Sequence, residues 1–162
     1  MHELKALYET LHYINVRTYL QSGNVIFSSQ NKSISGIVSS LQMQVEADYG
    51  FQVSILLRKV PDLKKIIMSN PFLVRRKLPN ENLYVTFLEK EPTQGSMDKL
   101  FIQKTSEHEF TLIGKEIYLY CPGGYGKTKY SNNYFEKGLK TIATTRNWNT
   151  VNKIYQMANQ PK

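Results

Sequence analysis

Leu4, Leu7, Tyr8 and Leu11 recur at three- and four-residue intervals, which predicts that the chain opens on an amphipathic helix. Two short runs rich in β-branched and aromatic residues follow, NVRTYL from Asn15 and NVIFSS from Asn24, with Gln21, Ser22, Gly23 and Asn24 at their junction. Polar residues around a glycine between strand-like runs predict a tight hairpin. Ser33 is placed to cap a helix whose Ile37, Leu41 and Val45 lie on one stripe and which ends at Gly50. FQVSILLR from Phe51 then reads as a strand.

Pro61 starts a short helix with Leu63, Ile66 and Ile67 inward, and the polar, basic stretch from Pro71 to Asn80 reads as a connection between two halves. After it the order begins again. LYVTFLE from Leu83 predicts a strand, Met97 to Phe101 a helix, and EFTLI and EIYLYC two strands turning at Gly114 and Lys115. Ser131 caps a helix through Tyr134, Phe135 and Leu139, and Trp148, Val151, Ile154 and Tyr155 line the last one.

The first half therefore reads α-β-β-α-β and the second β-α-β-β-α, each close to the split β-α-β, ferredoxin-like unit. The predicted fold class is α+β: duplicated ferredoxin-like units sharing a core, the first lacking its opening strand. A single compact domain over residues 1–162 is expected, with sub-units at 1–70 and 81–162. A helix that precedes a hairpin normally arrives from a strand of the same sheet, which predicts a strand missing upstream of Met1.

Composition narrows the function classes. With 41% hydrophobic and 21% charged residues the chain is an ordinary globular one, and no run approaches the roughly 18 apolar residues of a membrane span. MHELKALYET mixes acid with base, unlike a secretory signal, so a cytoplasmic protein without a membrane partner is expected. Cys121 is the single cysteine, and with His2, His12 and His108 scattered it offers neither a disulfide nor metal-ligand spacing. No organic cofactor is identified.

The net charge of +8 is unevenly placed. Residues 1–113 hold 13 basic and 11 acidic side chains, whereas residues 114–162 hold 8 and 2. Clustered base favours anionic partners, nucleic acid or phosphorylated small molecules, against the alternative of a plain solvated surface.

CPGGYGKTKY from Cys121 resembles a G-x-x-x-x-G-K-[ST] phosphate loop only in part. Cys121 stands where its first glycine belongs, Pro122 removes a backbone donor, and the next helix begins too late, near Ser131. A glycine-rich connector with positive φ at Gly123, Gly124 and Gly126 is expected, and a looser phosphate site using Lys127, Thr128 and Lys129 stays open. Tyr118, Tyr120, Tyr125 and Tyr130 offer a base-stacking platform.

In ATTRNWNTV, Arg146 is a candidate anion anchor, while Asn147 and its neighbours read equally as helix caps and Trp148 as core. In RTYLQSGN, Arg17, Tyr19, Gln21, Ser22 and Asn24 are candidates beside a plain turn reading, and Ser22 has no evident base. Glu107 and Glu109 flank His108 as an exposed strand face.

Three stretches together, VRTYLQSGNVIF from Val16, YGKTKYSNNYFEKGL from Tyr125 and ATTRNWNTV from Ala143, resemble a bacterial family known only as domain of unknown function 1697. The resemblance runs along the whole chain in order and brings no established activity. It implies two intertwined ferredoxin-like units. Its pattern falls on Thr18, Tyr19, Gln21, Ser22, Gly23 and Asn24, on Gly126, Lys129 and Asn132, and on Thr145, Arg146, Asn147, Trp148 and Thr150. Similar proteins begin with an additional strand and a glycine-containing loop; if that loop forms part of a site, the resemblance implies a truncated form with weakened or absent function, and a natural variant is the alternative.

The ligand-binding candidates are therefore Arg17, Tyr19, Gln21, Ser22, Asn24, Lys127, Lys129, Asn132, Arg146 and Asn147. A binding module for an anionic ligand through the basic C-terminal half is the first expectation. The alternatives are an enzyme joining Ser22 and Asn24 to Arg146, and an assembly protein that homodimerises by pairing an exposed sheet edge.

Overall fold

The computed structural model describes residues 2–20, 22–101 and 109–160. In chain order they form α1 (His2–Thr10), β1 (Ile14–Tyr19), β2 (Asn24–Ser28), α2 (Ile34–Tyr49), α3 (Val60–Met68), α4 (Pro71–Arg76), β3 (Leu83–Leu88), α5 (Gln94–Phe101), β4 (Glu109–Ile113), β5 (Glu116–Tyr120), α6 (Asn132–Leu139), β6 (Ala143–Asn147) and α7 (Trp148–Asn159). Short 3-10 turns sit at Asn80–Asn82 and Tyr125–Lys127. The fold is α+β, and its residues group into two compact units, Met1–Val60 with Ile154–Lys162, and Pro61–Lys153.

In the first unit β1 and β2 form the expected antiparallel hairpin, with Tyr19 opposite Asn24 and Arg17 opposite Ile26. Asn15, at φ 58°, marks an irregularity in β1 between Ile14 and Arg17. Leu7, Tyr8, Val16, Ile37, Leu41 and Val45 make the buried core, and the ring of Phe27 packs edge-on to Tyr8 with centroids 5.0 Å apart. Ser33 caps α2 by accepting from the Gly36 amide, and Gly50 ends it in the left-handed conformation at φ 73°.

The strand expected over residues 51–58 does not form. Val53, Ile55 and Leu57 do alternate onto the core, the period a strand needs. A strand, however, is defined by its ladder, and among the described residues none pairs with this stretch.

The second unit carries a four-stranded antiparallel sheet in the order β4-β5-β3-β6. Together with α5 and α6 this is the complete β-α-β-β-α-β ferredoxin-like pattern. Two readings are corrected here. Residues 143–147, read as the start of a helix, are the edge strand β6, and the Pro71 connection holds α4, started by Pro71 and capped by Asn70 through the Phe72 amide.

Cross-strand register sorts the sheet's two faces. Thr86, Ile117 and Thr145 stand in one row, and Leu88, Leu119 and Phe110 share their face, packed with Leu100, Phe135 and Leu139 of α5 and α6. Val85, Tyr118 and Arg146 stand in the next row, on the opposite face. There the Tyr118 hydroxyl donates to the Ile66 carbonyl at 3.0 Å, and the ring of Phe72 lies 6.2 Å from that of Tyr120. Among the described residues no helix is long and apolar enough to cross a membrane.

Candidate functional site

The loop between β5 and α6 begins at Cys121 and carries Gly123 at φ 87° and Gly124 at φ 96°. Gly126, expected to share that conformation, does not adopt it. With ψ 159°, Gly124 sits in a region that side-chain-bearing residues essentially never enter.

The loop amides are largely spent on the loop itself. Gly124 donates to the Cys121 carbonyl, Lys127 to Gly124, Thr128 to Tyr125, and Tyr130 to the Thr128 hydroxyl. The Tyr125 amide reaches the Tyr84 hydroxyl on β3 at 3.4 Å. α6 begins only after Ser131, which caps it by accepting from the Tyr134 amide. A backbone cradle of the nucleotide-hydrolase kind therefore does not form, and what the loop presents is side chains.

Beneath it lies a cluster of hydroxyl and amide groups. The Thr145 hydroxyl donates to Asn132 Oδ1 at 2.6 Å, lies 2.6 Å from the Thr86 hydroxyl, and accepts from Tyr125 Oη at 3.1 Å. One proton per hydroxyl satisfies all three bonds, with Thr86 and Tyr125 donating to Thr145 and Thr145 donating to Asn132. Thr145 is thus the hub joining β3, β6, the loop and α6. Replacing it with valine keeps the shape and deletes the hub, so Thr145→Val is expected to lose about 1–2 kcal/mol in urea denaturation, taking from Thr86 its 2.6 Å contact and leaving Asn132 Oδ1 with the longer bond from the Tyr125 hydroxyl at 3.4 Å.

Lys127 and Lys129 are exposed on the loop. The Lys127 stem lies over Gly123, where an added Cβ would come within 3.6 Å of Lys127 Cδ, and the Lys129 ammonium sits 5.5 Å from the Tyr130 ring centre. Asn132, the third candidate of this region, belongs to the cluster below them.

Arg146 does not. The pleat sends it to the face opposite Thr145, where Nη1 donates to the Thr144 hydroxyl and the Thr145 carbonyl, both at 2.9 Å. Burial lowers its pKa from the ordinary arginine value. Asn147 accepts from the Thr150 amide at 2.7 Å and caps α7, while Trp148 is buried as core.

The first-unit candidates are held by turn chemistry. Asn24 is buried, and its Nδ2 donates to the Tyr19 carbonyl at 3.0 Å and to Ser22 Oγ at 2.8 Å, closing a turn in which Leu20 and Gly23 take positive φ. Arg17 and Tyr19 lie on β1, and Arg17 Nε is buried with no hydrogen-bond partner. Gln21, Glu107 and His108 lie outside the described residues.

The stacking platform is not available as expected: Tyr118 and Tyr130 are buried, 2% and 0% exposed. Sequence reasoning missed Tyr84, Thr86 and the hub role of Thr145. The signal was the alternation of Tyr84 and Thr86 within LYVTFL, which acquires meaning only once β3 is known to lie beside β6. Among the described residues no three or more His, Cys, Asp or Glu side chains gather to hold a metal ion.

The model of a family described as protein of unknown function, DUF1697, matches residues 1–118. The chain belongs to that family. The match ends before the loop cluster, so the residues from Tyr125 to Thr145 are read from their geometry. No curated protein matches the chain. Among solved structures, a conserved bacterial protein from Streptococcus pneumoniae is similar, with 24% identity and a TM-score of 0.69 over 98% of this chain and 88% of that one. At that identity the likeness speaks for the fold that this DUF1697 member shares with it.

Proposed function

We propose that this DUF1697 member is a binding module for a phosphorylated small molecule, held at the loop between β5 and α6 by Lys127 and Lys129. The observation that carries this reading is the pair of exposed lysines, two positions apart, on a loop whose backbone is tied down by its own hydrogen bonds. A pre-ordered loop has little entropy left to lose on binding, and ammonium groups recognise phosphate as point charges. The surrounding chain adds to the attraction, since residues 114–162 carry 8 basic and 2 acidic side chains. The burial of Tyr118 and Tyr130 favours a small ligand over single-stranded RNA stacked on aromatic rings.

The test is anisotropy of a fluorescent nucleoside monophosphate and of labelled single-stranded RNA across a salt series. Wild type is expected to bind the nucleotide, and Lys127→Ala with Lys129→Ala to bind it at least about tenfold more weakly, the loss of one charge-assisted contact. Equal binding by the double variant would remove the loop from the reading. RNA binding with a steep salt slope and no nucleotide binding would make the ligand a nucleic acid.

A further inference from the structure

The near balance of charge over residues 1–113 hides a second concentration of base. Residues 61–77 hold five basic side chains and one acidic, Lys64, Lys65, Arg75, Arg76 and Lys77 against Asp62. They belong to α3 and α4, which lie on one face of the second unit's sheet. The Tyr118 hydroxyl donates to the Ile66 carbonyl of α3 at 3.0 Å, and Phe72 of α4 lies 6.2 Å from the Tyr120 ring. Tyr118 and Tyr120 stand two positions apart on β5, so both helices sit on the face opposite the one packed with α5 and α6.

Packing then decides which side chains turn outward. Leu63, Ile66 and Phe72 are buried, and the helical period leaves Lys64, Lys65 and Met68 of α3 and Val74 and Arg75 of α4 exposed. Lys77 is exposed where α4 ends, at φ 49°. Arg76 is held in place: its Nη1 donates to both carboxylate oxygens of Glu109, at 2.6 and 2.8 Å, and its guanidinium lies 5.7 Å from the centre of the Tyr120 ring. Lys64, Lys65, Arg75 and Lys77 have no acidic partner among the described residues. Like charge gathered without neutralisation costs stability through self-repulsion, and a partner dense in negative charge relieves it.

We propose that the outer surface of α3 and α4 docks the phosphate backbone of a nucleic acid duplex, without reading its sequence. Charge complementarity carries that choice, since a duplex presents about one phosphate charge per 1.7 Å of its axis, a density that a single small anion lacks. Single strands are held by stacking bases on aromatic rings, and here the rings turn inward: Phe72 and Tyr118 are buried, and Tyr120 lies against Arg76. A membrane surface takes up an apolar helix face, whereas Leu63, Ile66 and Phe72 face the sheet and leave Met68 and Val74 outside. The surface shares no residue with the loop of Lys127 and Lys129, so it stands whether or not that loop binds a ligand.

The experiment is anisotropy of a labelled DNA duplex of about 20 base pairs with the full chain, across a salt series from about 50 mM. Wild type is expected to bind with log Kd rising by about 3–4 per tenfold rise in salt, about 0.9 for each of four phosphate contacts. Lys64→Ala, Lys65→Ala and Arg75→Ala together with Lys77→Asn, asparagine being suited to the positive φ at that position, are expected to weaken binding about a hundredfold at low salt and to flatten the slope. Lys64→Arg, Lys65→Arg and Arg75→Lys together keep the charge and should bind as wild type, as should Lys127→Ala with Lys129→Ala. Removing the same charge at Lys32, Lys99, Lys137 and Lys153, all exposed, is expected to keep most of the affinity. No duplex binding at low salt, an unchanged slope in the fourfold variant, an equal loss in the dispersed one, or dependence on Lys127 and Lys129 would each overturn the proposal. So would tighter binding of single strands, or binding of phosphatidylglycerol vesicles in place of the duplex.

Discussion

Phe135→Ala is expected to destabilise the second unit by about 3–5 kcal/mol, the cost of deleting a large buried ring from a packed core. Phe135 is fully buried on α6 and meets Phe110 edge-on with centroids 5.4 Å apart and an interplanar angle of 80°. It also lies 6.2 Å from Tyr130, nearly parallel at 24°, so its loss leaves an aromatic cluster spanning β4, the loop and α6 without its middle. Those neighbours are themselves buried and cannot collapse fully into the space. Urea denaturation followed by near-ultraviolet circular dichroism measures the change. Phe135→Leu, which refills part of the volume, should recover a good share of the loss; an unchanged midpoint for the alanine variant would mean that this ring does not hold the unit together.

Alkaline pH is expected to weaken the fold by about 2 kcal/mol by pH 11, through Cys121 alone. Burial pushes its thiol from 9.0 up to about 11, against a smaller downward effect of a hydrogen bond with Thr128. Because the folded pKa is the higher one, the stabilisation is complete below pH 9. It is lost as pH rises towards 11, where the unfolded thiol ionises and the folded one resists. Tyr8, pushed up to about 12 by burial and by Tyr13, and Tyr118, also raised by burial, steepen the same decline at higher pH. Urea midpoints at pH 8 and pH 10.5 measure it, and Cys121→Ala should flatten the difference. A wild-type midpoint that did not move would show that the thiol is not buried in solution.

Most of the helices were legible because their apolar stripes have a single use. Ile37, Leu41 and Val45, or Phe135 and Leu139, only make sense facing a core, and Ser33, Gly50 and Ser131 punctuate them with caps that the structure reproduces. β6 was not legible because ATTRN offers one small apolar residue and four polar ones. Its strand character comes from β3 beside it, through the hydroxyl pair of Thr86 and Thr145, residues far apart in the chain. The stretch from Phe51 failed in the opposite sense: its alternation was read correctly, but a ladder requires a neighbour that its own sequence cannot supply.

The candidate site was legible as composition and not as geometry. Lys127, Lys129 and Asn132 could be named from the loop sequence. The separation of Thr145 from Arg146 could not, since one strand assignment decides that adjacent residues face opposite ways. Asn24 and Asn147 illustrate a related ambiguity. An asparagine that closes a turn or caps a helix has the same neighbours in sequence as one that binds a ligand, and only the hydrogen bonds at 2.7–3.0 Å tell them apart.

One consequence of the chain's grouping concerns its birth on the ribosome. The first unit takes residues 1–60 together with residues from Ile154 onward, so its two pieces are separated by the whole of the second unit. During synthesis at about 5–20 residues per second, the hairpin and α2 emerge several seconds before the residues that finish their unit. The second unit, drawn from one continuous stretch, has all its pieces first. The nascent chain is thus obliged to carry the first unit unfinished while the whole of the second is translated, and a stop codon introduced just before Ile154 would harm a unit most of which was made well before it.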